Sequence, residues 1–80
     1  MEEKTVPLTF LQPYRQGKIT MIQGGYRFKQ RMRSMGICDG KVVTIKSKQP
    51  FHGPLTIEVC GTQMTIGRGM AHKIQVEIID

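Results

Sequence analysis

The stretch from Leu55 to Ile66 constrains the fold of this chain more than any other. Leu55, Ile57 and Val59 alternate with Thr56, Glu58 and Cys60, the period of a strand with one buried face. Gly61-Thr62 follows as a two-residue loop with glycine first, which suits a type II′ turn, and Met64 and Ile66 then resume the alternation. This loop predicts a register that pairs Cys60 with Gln63, Val59 with Met64 and Ile57 with Ile66, while Glu58 meets Thr65 on the other face. An isolated hairpin is marginal in water, so further strands must cover its apolar side.

The rest of the chain supplies them. Leu8, Phe10 and Leu11 precede Pro13 and Gly17, which predicts an opening extended segment that ends in a turn. Lys18 to Gln23, with Ile19, Met21 and Ile22, reads as a strand broken by Gly24-Gly25. From Tyr26 to Met35 the period changes: Phe28, Met32 and Met35 fall at i, i+4 and i+7, and Gly36 stands where a left-handed residue ends a helix. Val42 to Ile45 is a β-branched strand, and Lys46 to Pro54 reads as a polar loop. Gly67 to Lys73 reads as an irregular or 3₁₀ turn before Ile74, Val76 and Ile78 form a closing strand. Five or six short strands with one short α-helix predict an all-β fold, a small SH3-like barrel, because closing the sheet removes exposed edges. At 80 residues the chain has room for one core, so residues 5–80 are expected to form a single domain after a flexible N-terminus of residues 1–4.

Charge narrows the possible partners. Twelve Lys and Arg against six Asp and Glu leave a formal charge of +6, which favours acidic partners. The basic residues are scattered, so no polybasic lipid anchor is evident. The helix carries a share of them on two shoulders: Arg27 and Arg31 flank one side of its apolar stripe, Lys29 and Arg33 the other. The ordinary role of such stems is to cover apolar edges while the charge stays in water, and the same shoulders can meet an acidic partner. The N-terminal Met-Glu-Glu-Lys-Thr leads into no apolar stretch long enough for a signal peptide or a membrane span, so a cytoplasmic protein without membrane insertion is expected. Cys38 and Cys60 lack CxxC spacing and are expected to be free thiols.

No set of residues reads as catalytic. An enzyme needs a nucleophile, a base and a group to orient them, or an open metal position, and neither His52 nor His72 has a carboxylate close in sequence. No cofactor is expected. Cys38, His52, Cys60 and His72 are the ligand types of a zinc or iron site, which leaves direct transition-metal binding as an alternative. They lack the close pairs usual in structural zinc sites, and no native metal site is expected. A small basic barrel also suits nucleic acid, yet Phe10, Tyr14, Tyr26, Phe28 and Phe51 do not alternate on one strand as stacking platforms do, and no nucleic-acid partner is expected. The methionines offer a route to self-association.

A combination of motifs carries a family resemblance from Leu8 to Val76. Leu8 and Leu11 precede Gly17 and Ile19; Gly24-Gly25 introduces the basic helix; Met35-Gly36-Ile37 ends it, with Gly40 ahead of Val43. Gly53-Pro54-Leu55 opens the next strand, and Ile66-Gly67-Arg68-Gly69-Met70-Ala71 leads to Ile74 and Val76. Together these residues resemble the FeoA family. Repressors of the DtxR type end in a similar domain but also carry a DNA-binding helical region, for which no room is expected before Leu8. Met32 and Met35 stand where the family tends to place Leu, Asp39 where Pro is common, and Cys38 is less typical. The resemblance implies an accessory protein of ferrous-iron transport that binds the cytosolic side of the FeoB transporter, whose own GTP-hydrolysing domain would supply the activity. The contact residues expected are Arg27, Arg31, Met35 and Cys38, at the helix shoulder and exit.

Overall fold

The computed structural model describes residues 5–79. The N-terminal segment 1–4, expected to be flexible, lies outside the described residues. Six strands form one antiparallel sheet: β1 (Thr5–Pro7), β2 (Gln16–Ile22), β3 (Val42–Lys48), β4 (Leu55–Val59), β5 (Thr62–Ile66) and β6 (Ile74–Ile78). They lie in the order β1-β6-β2-β3-β4-β5. A 3₁₀ turn, Leu8–Phe10, follows β1; helix α1, Tyr26–Ser34, joins β2 to β3; and a five-residue helix α2, Arg68–His72, joins β5 to β6. The 3₁₀ turn and α2 pack together, and the sheet coils into an SH3-like barrel.

One core fills it. Leu8, Leu11, Ile19, Met32, Ile37, Ile45, Leu55, Ile57 and Ile74 are among its fully enclosed side chains, and no polar or charged residue is buried among the described residues. Both curvature and core depend on two bulges, because an extra residue bends its strand and sharpens its twist. In β2 the register passes from Ile19–Val76 to Met21–Gln75, leaving Thr20 extra; in β3 it passes from Ile45–Ile57 to Ser47–Thr56, leaving Lys46 extra. Each bulge reverses the alternation after it. Ile19 and Ile22 therefore both face the core, and Met21 between them is half exposed.

Four local expectations are corrected. The hairpin pairs Val59 with Thr62 and Ile57 with Met64, so its loop is Cys60-Gly61, not Gly61-Thr62. Cys60 (φ 53°) and Gly61 (φ 80°) both adopt the left-handed conformation of a type I′ turn, whose twist matches the strands. The shift is two residues, so Ile57, Val59, Met64 and Ile66 keep their common face. Gly17 does not end a turn but lies within β2, where a β-carbon would stand 2.9 Å from Val76 Cβ. β3 runs on to Lys48 through residues that read as loop, and the turn after Gly67 is helical.

Helix α1 ends as its sequence predicts. Gly36 (φ 88°) donates to the Arg33 carbonyl at 3.0 Å and Ile37 to the Met32 carbonyl at 2.9 Å, the paired bonds of a Schellman motif. Ile37 and Met32, the apolar pair that accompanies such a stop, are both fully buried.

Candidate functional site

Helix α1 presents its charge outward. Met32 is its buried residue, with Phe28 and Met35 half-buried against the core. Arg27, Lys29, Arg31 and Arg33 are all exposed, and the helix holds no acidic residue. None of the four has an ion-pair partner among the described residues. Arg27–Arg31 and Lys29–Arg33 are like-charge pairs at i, i+4, a spacing that destabilises a helix by a few tenths of a kcal/mol per pair. Lys73, just after α2, adds a fifth cation: its ammonium lies 4.8 Å from the centre of the Phe28 ring.

Beside this helix lies an open groove of about 120 Å³, lined by Met21, Ile22, Lys29, Arg33, Cys38 and Asp39. Its existence follows from the bulge at Thr20, which turns Met21 out of the core, and from the Schellman stop, which redirects the chain so that Cys38 and Asp39 return beside α1. The sequence-expected contact residues are thus divided. Cys38 lines the groove with the Lys29 and Arg33 shoulder; Arg27 and Arg31 are not in that lining; Met35 forms the helix cap and packs on the core. The groove also brings in Met21, Lys29, Arg33 and Asp39, which the sequence alone does not mark as site residues. The spacing of Ile19 and Ile22, two core-type residues three apart in a strand, was the available signal for the bulge.

The groove mixes a thiol, a thioether, one carboxylate and two cations, a surface suited to protein contact. The four residues of metal-ligand type are dispersed: Cys38 is at the groove, His52 in the β3–β4 turn, Cys60 in the β4–β5 turn, and His72 ends α2, with its Nδ1 3.4 Å from Thr9 Oγ1. Among the described residues no three metal-ligating side chains of His, Cys, Asp or Glu are gathered. Both cysteines are free thiols. None of the six strands carries an aromatic residue, and no helix among the described residues is long and apolar enough to cross a membrane.

Comparison with known proteins gives consistent matches. A family model described as the FeoA domain matches residues 6–78. A Methanocaldococcus jannaschii protein, named for Fe(2+) transport as its protein A, is 37% identical over 71 residues, covering 89% of this chain and 84% of that one. The crystal structure of an iron uptake regulatory protein, FeoA, superposes with a TM-score of 0.88 at 32% identity, over 95% of this chain and 100% of that one. A FeoA-like protein from Clostridium acetobutylicum (TM-score 0.87, 21% identity, 100% of this chain and 92% of that one) shares the fold. So does a manganese-dependent transcriptional repressor (TM-score 0.88, 15% identity), of which this chain, matched over 99% of its length, covers 44%.

Proposed function

The chain belongs to the FeoA family, and from that premise we propose that it is a cytosolic accessory protein of ferrous-iron uptake that docks on the cytosolic side of the FeoB transporter. The observation that carries this reading is the charge of α1: four exposed cations on nine residues with no acid on the helix to offset them. Folding alone gains nothing from the two like-charge pairs, whereas an acidic partner surface turns them into attraction. Arg27, Arg31, Met35 and Cys38 are the proposed contacts, and the groove beside Cys38 extends that face to Met21, Lys29 and Arg33. Chemistry is assigned to the transporter; this chain assembles or adjusts it.

The test is a titration of the isotope-labelled chain with the cytosolic domain of FeoB from the same cell, with and without a GTP analogue, read by NMR. Saturable shifts clustered at residues 26–38, lost in the Arg27→Glu, Arg31→Glu double variant, are expected. Saturable shifts elsewhere would remove the α1 assignment, and no shift in any nucleotide state would overturn docking to this domain.

A further inference from the structure

The bulge in β3 has a second effect, far along the chain from α1. With Lys46 extra, Lys48 faces Leu55 and takes a position on the core side of the strand. Its stem is half-buried, and its ammonium donates to the Thr9 carbonyl at 2.7 Å. Leu55 in turn faces Ile66, and Arg68 begins α2 two residues later. Lys48 is held by the 3₁₀ turn, and α2, which Arg68 begins, packs against the same turn, so two cations fall in one region. Burial first, and the positive charge of Arg68 second, lower the pKa of Lys48 from its ordinary value. Neither cation has an ion-pair partner among the described residues, and Arg68 Nε is closed off from solvent with no acceptor among those residues. Like charges drawn together beside an unmatched donor oppose folding, and an oxyanion bound between the two cations would relieve their repulsion.

Two exposed aromatic residues adjoin these segments of the chain. Phe10, 64% exposed, follows the residue that Lys48 holds. Phe51, 96% exposed, is at the tip of the β3–β4 turn, three residues beyond Lys48. Phe51 (φ 58°) and His52 (φ 60°) are both left-handed, and Gly53 donates to the Pro50 carbonyl at 3.1 Å to close the turn. Bulky side chains in this conformation are strained, and a ring that touches no core adds nothing to the fold in return. Such a turn holds an apolar side chain out for something else to cover.

We propose that Lys48 and Arg68 receive a carboxylate from an acidic segment of a protein partner, with Phe10 and Phe51 taking the apolar side chain beside it. The flat guanidinium fork matches a carboxylate edge to edge, and the net charge of +6 draws acidic surfaces in. A polynucleotide would call for cations that track successive phosphates and for rings on the sheet, whose strands carry none. This contact is separate from the α1 face and does not depend on it.

The experiment titrates the ¹⁵N-labelled full chain, at fixed ionic strength, with N-acetyl-Asp-Phe-amide and separately with inorganic phosphate, following backbone amides and the Arg68 Nε–H. Saturable shifts at residues 9–10, 48–53 and 67–69 and at the Arg68 Nε–H are expected with the dipeptide, with affinity falling about tenfold or more in Arg68→Gln. Phe51→Ala, which removes no core contact and so leaves folding intact, is expected to weaken the dipeptide about fivefold and phosphate not at all. Tighter binding of phosphate at the same residues would overturn the peptide assignment. Shifts that do not saturate, or that are the same in Phe51→Ala, would overturn the site.

Discussion

At Gly17 the backbone of β2 passes so close over Val76 that an added β-carbon would meet Val76 Cβ at 2.9 Å and Cγ2 at 3.0 Å. Val76 is fully buried, and a β-branched side chain has no free end that could swing aside. Gly17→Ala must therefore push β2 and β6 apart where they pair, and a loss of about 1–3 kcal/mol is expected. Urea unfolding would check it; an unchanged midpoint would mean that the strands part without strain. Lys48 shows the converse, a charged residue brought inward because its stem covers core and its ammonium finds the Thr9 carbonyl.

Two elements carry their own predictions. Helix α1 starts at Gly25 without a side-chain cap and has no acid in its first turn, so Arg27 faces the positive end of the helix dipole as well as Arg31. Arg27→Glu replaces both repulsions by attractions and should stabilise the chain by about 0.5–1 kcal/mol while weakening association with the transporter. Thermal melts and binding measured on the same variant would separate the two effects, and a variant that gained stability with binding intact would free Arg27 of any docking role. In the β4–β5 hairpin the strain sits on Cys60, the non-glycine residue of the left-handed pair. Cys60→Asn places there a residue that tolerates this conformation, and a gain of about 0.5–1 kcal/mol in chemical denaturation is expected.

At the scale of the molecule, an apolar core with no polar or charged residue buried among the described residues leaves function to the surface. The same core makes the fold intolerant: Ile57, at 0% exposure, lies at the centre of β4 between β3 and β5. Ile57→Asp would bury a carboxylate with no partner, and the cooperative melt followed by circular dichroism is expected to vanish. A variant that melted like the parent would mean that the barrel admits water at its middle. The charge of +6 outside this core, carried by α1 and by the Lys48–Arg68 pair among other positions, suits a protein that works by being drawn to acidic partners.

Much of this was legible in the chain itself. Alternation placed Ile57, Val59, Met64 and Ile66 on one face, the 3.6-residue period located α1, and Gly36 marked its end, because each is a local pattern read within a few residues. The basic shoulders of α1 were visible for the same reason. Which turn residues close the hairpin was not, since sliding the partner strand by two residues leaves every side chain on its own face and the apolar pattern is blind to it. Nor were the bulges at Thr20 and Lys46, which bend their strands as the six-stranded sheet coils around its core. Sequence alone determined which residues are apolar, which helix is basic and where it stops; tertiary structure decided that Met21 turns out beside Cys38 and Lys48 turns in toward the Thr9 carbonyl, because the coiling of the sheet is a non-local demand that reverses alternation wherever an extra residue absorbs the bend.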